Sequence, residues 1–162
     1  MEEYEDGLAS IFADLAELFG NPRSYGQIYG LLFASEHPMT MEDIARRLEI
    51  SQGSTSQGLR QLEAFGAVVK AKNNGFRQSL YSAKLEMKLL ISGFLRERVI
   101  PRLESTESRV KALQRTLNTP ALQSQTQAAS LDSMHFRLAR LAKWHRSART
   151  LLPIARKILG NG

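Results

Sequence analysis

Apolar residues recur at helical spacing over most of the chain. Over residues 5–19 they mark one face of a first helix, which the run Gly20-Asn21-Pro22 ends. Shorter patterns of the same kind follow, each bounded by turn-forming residues. They predict three further helices at about residues 24–35, 41–48 and 51–65.

Polar residues that favour helix ends stand where these helices are expected to begin and stop. Ser24, Thr40 and Ser51 are in N-cap positions, and Gly66 stands where a left-handed C-cap is expected. The third and fourth helices are separated by a tight turn at residues 49–51, which predicts a helix-turn-helix.

The pattern changes at residue 67. Two short runs, 67–72 and 76–81, flank Asn73-Asn74-Gly75, and this arrangement predicts a β-hairpin. A helix-turn-helix followed directly by a basic hairpin predicts a winged helix-turn-helix over residues 22–84. The expected fold class is therefore mainly α with a small β-hairpin wing, extended by long dimerisation helices.

The second helix of the motif has a polar outer face. Thr55, Leu59 and Leu62 recur every three or four residues and are expected to face the core. The opposite side has hydrogen-bonding side chains and no acid before Glu63, so we expect it to enter the major groove of double-stranded DNA. The candidate DNA contacts are Gln52, Ser54, Ser56, Gln57, Arg60 and Gln61 on this helix, and Lys70, Lys72 and Arg77 on the hairpin.

Each of these assignments has a simpler alternative. A short polar helix after a turn can be an ordinary surface helix, and each hairpin base can be a solvated strand charge. Gly53 and Gly58 weaken the helix, and their small size is expected to let its backbone approach another surface, for which a DNA groove is a candidate.

From residue 85 onward the pattern is wholly helical. We expect one helix over 85–117, kinked near Pro101, and a last helix over 121–159 with a heptad seam held for four repeats. Such a seam is typical of a helix that packs lengthwise against another, which predicts a homodimer; an intramolecular helical cap is the alternative. The candidate dimerisation residues are Leu8, Phe12, Leu15, Leu131, Leu138, Leu141, His145 and Leu152.

This organisation predicts three regions. Residues 1–21 form a dimerisation helix, residues 22–84 the DNA-binding domain, and residues 85–162 a helical region for dimerisation and for any effector. We interpret His145 as a hydrogen-bonded interface histidine, with a pH or ligand sensor as the alternative. Aromatic residues permit a cage for a quaternary ammonium ion, with core packing as the alternative: Trp144 with Tyr25, Tyr29, Tyr81 or Phe136.

The net charge of +6 is distributed unevenly. Residues 1–21 carry six acids and no base, whereas residues 121–162 carry seven bases and Asp132 as their one acid. The first and last helices can therefore pair, within or between subunits, with the acids near Arg137, Arg140, Arg146 or Arg149. The winged-helix region has an excess of only three bases, so the DNA prediction depends on the arrangement of residues and not on total charge.

The composition argues against several other classes. The chain has no cysteine, its three histidines lack metal-ligand spacing, and it has no glycine-rich phosphate loop, so we expect no enzyme, no metal and no cofactor. No run approaches the roughly 18 apolar residues of a membrane span, and no signal peptide is evident. We expect a cytoplasmic protein without a membrane partner.

Three runs resemble the GbsR-like branch of the MarR superfamily: LFGNPRSYGQIYGLL at 18–32, MEDIARRLEISQGSTSQGLRQL at 41–62 and, more weakly, FLRERVIPRLE at 94–104. The resemblance covers about residues 20–105. It implies a homodimeric bacterial regulator, usually a repressor, whose terminal helices form the dimer interface. Some relatives sense choline-type osmolyte precursors, but residues 110–162 do not identify an effector here.

The predicted function is a homodimeric, sequence-specific DNA-binding transcription regulator, acting as a repressor and open to control by an unidentified small-molecule effector. The alternative is a protein-interaction module, in which the winged helix is a scaffold and the heptad helix docks a partner without DNA.

Overall fold

A computed structural model describes residues 2–72 and 78–160, and shows helices with one small antiparallel sheet, in agreement with the predicted fold class. The chain divides into two compact units, Met1–Phe94 and Leu95–Gly162. The first unit contains α1 (Glu2–Leu18), α2 (Arg23–Ala34), β1 (Met39–Thr40), α3 (Met41–Arg47), α4 (Gln52–Phe65), β2 (Val68–Lys72), β3 (Ser79–Ala83) and α5 (Met87–Phe94). The second contains a π-helical turn (Leu95–Val99), α6 (Ile100–Leu117), α7 (Pro120–Gln125) and α8 (Ala128–Gly160).

Helix α2 lies at the centre of the first unit. Its Ile28 and Tyr29 are almost without solvent contact, and they share one apolar cluster with residues of α1, α3, α4 and the sheet. Burying a side chain of this size contributes roughly 1.5–3 kcal/mol. The cluster includes Phe12, Ile28, Tyr29, Leu31, Leu32, Ile44, Leu59, Leu62, Phe65, Val68 and Tyr81.

The buried Tyr29 also ties α2 to the segment after the sheet. Its hydroxyl donates a hydrogen bond to the backbone carbonyl of Lys84 at 2.8 Å. Burial, and to a smaller extent the nearby Glu86 carboxylate, raises the pKa of Tyr29 to about 12. The phenol therefore stays neutral and keeps its donor over the physiological pH range.

Two glycines let α1 and α2 cross closely. A Cβ placed on Gly26 would lie 2.0 Å from the backbone oxygen of Phe12, and one on Gly30 would lie 2.6 Å from the Cα of Ala9. No side chain larger than hydrogen fits at these positions, so the packing of α1 on α2 depends on both glycines.

The sheet has three strands in the order β1-β3-β2, all antiparallel. In the hairpin, Lys70 is opposite Tyr81, and on the other edge Met39 is also opposite Tyr81. The hairpin was predicted, whereas β1 was not, because two residues are too few to show an alternating pattern.

In the second unit, α6 and α8 pair lengthwise. The carbonyl of Leu103, near the start of α6, accepts a hydrogen bond from Nε2 of His145, while the end of α6 lies beside the first half of α8, so the two helices are antiparallel. His145, Val110 and Ala142 are buried along this contact. The seam residue His145 therefore packs on α6 of its own chain, as the intramolecular alternative expects, and the homodimer stays a prediction.

The predicted helix ends are confirmed at three of four positions. Thr40 and Ser51 accept hydrogen bonds from the backbone N–H three residues later, and Gly66 has a left-handed φ of 73°. The prediction for Ser24 was wrong: Pro22, two residues earlier, occupies the N-cap position and makes no side-chain hydrogen bond there.

The two long helices predicted after residue 85 differ in outcome. Residues 87–117 are helical throughout, as α5, a π-helical turn and α6, and the π-helical turn lies just before Pro101, near the predicted kink. The second starts later than predicted, because Thr126 adopts an extended conformation (ψ 137°) that separates α7 from α8. The Gln127 carbonyl then accepts the N–H groups of Ser130 and Leu131 and so starts α8.

Four acids of α1 have arginine partners inside the first unit. Arg23 lies 2.8 Å from Asp14 and 2.9 Å from Glu17, and Arg47 lies 3.1 Å from Glu5 and 3.3 Å from Asp6. The sequence prediction had placed these acids near arginines of the last helix. The short turn after α1 instead brings Arg23 back alongside it, and α3 supplies Arg47.

The first unit extends further at both ends than the predicted DNA-binding domain. Ala9, Phe12 and Ala13 of α1 are buried in it, and Leu90 and Phe94 of α5 pack against the same cluster. The assignment of separate functions to residues 1–21, 22–84 and 85–162 stays a prediction.

Candidate nucleic-acid interface

The helix-turn-helix consists of α3, a turn at residues 48–51, and α4. Within the turn, Glu49 has a φ of 53°, a left-handed conformation that lets the chain reverse direction in few residues. The N–H of Ile50 donates to the carbonyl of Ala45 at 3.1 Å and closes the turn. The turn therefore fixes where α4 begins.

Serine and threonine side chains order the first turn of α4. The Ser51 hydroxyl accepts the Ser54 N–H at 3.1 Å and lies 3.0 Å from the Ser54 hydroxyl. Thr55, fully buried, donates its hydroxyl to the Ser51 carbonyl. These hydrogen bonds hold the first turn of the helix to residue 51.

The inner face of α4 packs on α2 and carries Thr55, Gly58, Leu59, Leu62 and Phe65. A Cβ on Gly58 would lie 2.5 Å from Cδ1 of Ile28 and 3.3 Å from the ring of Tyr25. The expected close approach at Gly58 is therefore confirmed, but the neighbouring surface is α2, so the DNA groove was the wrong candidate at this residue. Gly53 is exposed on the other face, where a Cβ would have the Ser51 hydroxyl, at 3.9 Å, as its nearest neighbour.

The outer face of α4 is polar and open to solvent. Gln52, Gln57 and Arg60 are exposed, and Ser54, Ser56 and Gln61 are partly exposed at its margins. The exposed Gly53 and Ala64 lie between them, and neither has a long side chain that would project from this face. The structure therefore places the six residues predicted on this helix on one accessible side of it.

The described part of the wing holds one of the three predicted hairpin contacts. Lys70 is exposed on β2, with its ammonium nitrogen 5.8 Å from the centroid of the Tyr81 ring. Arg77 and the side chain of Lys72 lie outside the described residues.

Two features beside this face were not predicted. Arg46 of α3 is exposed and pairs with Asp43 at 2.8 Å. Gln78, just before β3, donates to the carboxylate of Glu42 at 3.3 Å and so joins the wing to α3. The spacing of Asp43 and Arg46, three residues apart, could have indicated the first contact; Gln78 and Glu42 are too distant in sequence for a local pattern.

The predicted dimerisation residues fall into different environments. Phe12 lies in the core of the first unit, where its ring meets those of Tyr29 and Phe33, so its burial requires no second chain. Leu8 is partly buried against the same core, and Leu15 is exposed. In the second unit, His145 is buried, Leu141 is exposed, and Leu131, Leu138 and Leu152 are partly buried.

The pair of α6 and α8 leaves an apolar groove of about 350 Å³ open to solvent. Among its walls, Leu113, Met134 and Leu141 are each about half exposed. The groove is lined by Leu113, Thr116, Leu117, Met134, Arg137, Leu138 and Leu141. The second unit therefore does not cover its own apolar surface.

The proposed aromatic cage does not form within either unit. Tyr25, Tyr29 and Tyr81 are buried in the core of the first unit, whereas Phe136 and Trp144 are exposed on α8. The three tyrosines therefore follow the core-packing alternative. Among the described residues, no three histidine, aspartate or glutamate side chains are grouped to hold a metal ion. None of the described helices is long and apolar enough to cross a membrane.

Comparison with known proteins gives relatives of one kind. The chain is 26% identical over 94 residues to the HTH-type transcriptional repressor GbsR of Bacillus subtilis, covering 58% of this chain and 52% of that protein. It is 25% identical over 84 residues to the HTH-type transcriptional repressor OpcR of the same organism, covering 52% and 45%. The chain thus spans about half the length of these relatives. No family model matches the chain.

A solved structure, described as the crystal structure of a transcriptional regulator, superposes with a TM-score of 0.56 at 18% identity. The superposition covers 94% of this chain and 98% of the chain in that crystal structure. This likeness supports the fold over almost the full length. The chain resembles GbsR-like HTH-type regulators over about half of its sequence, and it has the winged helix-turn-helix fold of a regulator.

Proposed function

We propose that this chain is a sequence-specific DNA-binding transcription regulator that acts as a homodimeric repressor. The observation that carries the proposal is the outer face of α4. Gln52, Gln57 and Arg60 are exposed on this face, and the helix begins at the Ser51 cap and packs its inner face on α2. A helix of this width and polarity fits the major groove, where glutamine and arginine read base edges.

The surroundings of this face support DNA over a protein partner. Large exposed apolar side chains are typical of protein docking surfaces, and the outer face of α4 contributes none among the residues described as exposed. The repressor names of GbsR and OpcR support the same proposal. A homodimer would let two recognition helices address half-sites about one DNA turn apart.

Arg60→Ala is the direct test. Arg60 is exposed at the middle of the outer face, so its removal is expected to weaken operator binding by about tenfold or more and to relax the sequence preference. Lys70→Ala on the wing is expected to weaken specific and unspecific sites about equally, because a lysine there contacts phosphates. Gel shifts on the upstream region of the chain's own gene, over a series of salt concentrations, measure both effects.

Arg115→Ala, an exposed arginine on α6, is the matched control and is expected to leave DNA affinity unchanged. If Arg60→Ala behaves like this control, α4 does not enter the groove in the proposed orientation. If the wild-type protein gives no salt-sensitive, sequence-dependent shift at all, the chain is instead a protein-interaction module.

A further inference from the structure

The apolar groove between α6 and α8 has the size of a small-molecule site. Its volume of about 350 Å³ lies within the range of ligand pockets, roughly 300–1,000 Å³. Its walls are mostly aliphatic, and Leu113, Met134 and Leu141 stay between 43% and 54% exposed. Methionine adapts its shape to an occupant. A molecule with an apolar body would therefore gain binding energy by covering these side chains.

Among the described residues that line the groove, Arg137 carries the one charge. Its side chain is exposed, and no carboxylate of the described residues pairs with it, whereas Glu107 of α6 already pairs with Lys111 and Arg149. Asp132, five residues earlier in α8, lies about 140° round the helix from Arg137. The guanidinium of Arg137 is therefore available to an anion from outside the chain.

The helices on both sides of the groove are basic. Residues 108–117, which end α6, contain three bases and no acid, and residues 133–141 of α8 contain two bases and no acid. The other polar side chain in the groove, Thr116, donates its hydroxyl to the Ala112 carbonyl at 3.2 Å and so already has a partner. The positive charge of Arg137 therefore decides which polar group an occupant can carry.

We propose that this groove binds a small amphipathic carboxylate, with its aliphatic chain along the apolar walls and its carboxylate paired with Arg137. Arginine matches a carboxylate with two parallel hydrogen bonds. A small hydrophilic anion such as phosphate would leave the apolar walls uncovered. A quaternary ammonium ion would meet the positive charge of Arg137, and no aromatic ring is among the described lining residues to bind it. The site is built from the second unit alone and does not depend on DNA binding.

The groove also sets the length of the aliphatic chain. Met134 and Leu141 are seven residues apart on α8, which is about 10 Å at 1.5 Å per residue. An extended chain advances roughly 1.2 Å per bond, a third of the length of an extended residue, so about eight bonds span the groove. Decanoate is the probe of this length. Hexanoate is expected to bind about tenfold or more weakly, because each missing methylene group removes apolar burial.

A second copy of the chain fits this groove less well. A symmetric contact centred on the groove would bring the same surface of both copies together, so that Arg137 would approach its own counterpart. Like charges at an interface oppose association. The groove is therefore expected to stay open in a homodimer that forms through other surfaces.

Methionine methyl groups give a spectroscopic signal inside the groove. The sequence has five methionines, of which Met134 lines the groove and Met39, Met41 and Met87 belong to the first unit. Full-length protein labelled with ¹³C at these methyl groups is titrated with sodium decanoate, below the concentration at which it forms micelles. We expect the Met134 signal, assigned with Met134→Leu, to shift until it saturates, while the signals of the first unit stay in place. Isothermal titration calorimetry gives the affinity.

Arg137→Gln removes the charge in the groove and is expected to weaken decanoate binding at least about tenfold. Arg140→Gln is the matched control, because it removes a base of the same helix whose guanidinium lies 5.8 Å from the centre of the Phe136 ring and does not line the groove. It is expected to bind decanoate within about twofold of the wild type. Decan-1-ol, which has the chain without the charge, should bind the wild type and Arg137→Gln equally. Equal losses of decanoate affinity in the two variants would overturn the pairing with Arg137.

Three further results would overturn the proposal. The first is a Met134 signal that does not move at millimolar decanoate. The second is a Met134 signal that moves with protein concentration and not with decanoate, which would mean that a second copy fills the groove. The third is tighter binding of decyltrimethylammonium than of decanoate, which would make the groove a cation site. The titrations contain no DNA, so failure of decanoate binding leaves the proposed function standing, and failure of the gel shift leaves the carboxylate site standing.

Discussion

The two units of this chain are stabilised in different ways. In the first, α2 is surrounded by other elements, and residues such as Ile28 and Ile44 have no solvent contact. In the described part of the second unit, the residues buried between α6 and α8 are the small Val110 and Ala142, together with His145. The larger Leu113, Met134 and Leu141 stay about half exposed. The first unit closes its own core, and the second leaves apolar surface for another molecule to cover.

The difference follows from how the helices meet. Where α1 crosses α2, glycines bring the backbones into contact, and short connections return the chain to the same core. Long helices that pair side by side bury one narrow face each and expose the rest. A unit of this kind would gain stability if a second copy covered its free faces, as in the proposed homodimer.

Gly26→Val tests the self-sufficiency of the first unit and is expected to have the largest effect. A Cβ at Gly26 would overlap the backbone of Phe12, so α1 and α2 must separate, at a cost of at least about 3 kcal/mol in the free energy of unfolding. Urea denaturation followed by circular dichroism measures this cost.

Gly7→Ala is the control for that experiment. Nothing lies within 4 Å of a Cβ at Gly7 in α1, and alanine is expected to stabilise the helix by about 1 kcal/mol. A loss below 1 kcal/mol for Gly26→Val would mean that α1 is not an integral part of the first unit.

His145→Ala probes the second unit, where a polar contact accompanies the small buried residues. The substitution removes a buried ring and its hydrogen bond to the Leu103 carbonyl, which is expected to cost about 2 kcal/mol. Arg146→Ala, on the exposed neighbour, is expected to change stability by less than about 0.5 kcal/mol. Equal effects of the two substitutions would show that the contact between α6 and α8 adds little to the fold.

Local chemistry made the candidate site predictable from the sequence. Ser51, Gly66 and the inner positions of α4 act within a few residues of themselves, so caps and helical spacing identify them. The outer face then follows as the remaining side of the helix.

Contacts between distant segments could not be predicted in this way. Gly58 looks like a helix-weakening residue beside a polar face, and only the position of Ile28 shows that it serves packing. The same holds for Arg47, whose acidic partners lie about forty residues earlier. The heptad seam of α8 predicted a lengthwise partner correctly, but periodicity does not distinguish α6 of the same chain from a helix of another copy.

The smallest expected effect concerns the cap of α3, beside the proposed DNA surface. The Thr40 hydroxyl donates to the Asp43 carboxylate at 2.6 Å. This hydrogen bond is the largest cause that holds the pKa of Asp43 below its usual value; burial opposes it, and the nearby Arg46 guanidinium adds to it. A carboxylate with a lowered pKa in the folded state stabilises the protein at neutral pH. That stabilisation is lost as the pH falls through the ordinary aspartate range towards the lowered pKa.

Thr40→Val removes both this bond and the cap, which is expected to cost about 1 kcal/mol at pH 7. The difference between wild type and variant should shrink as the pH is lowered from 5 to about 3, because the protonated Asp43 no longer gains from the threonine hydroxyl. Thr116→Val serves as a control, since that hydroxyl donates to the Ala112 carbonyl and not to an acid, and its effect should be independent of pH. A difference for Thr40→Val that stays constant with pH would assign its whole effect to the backbone cap.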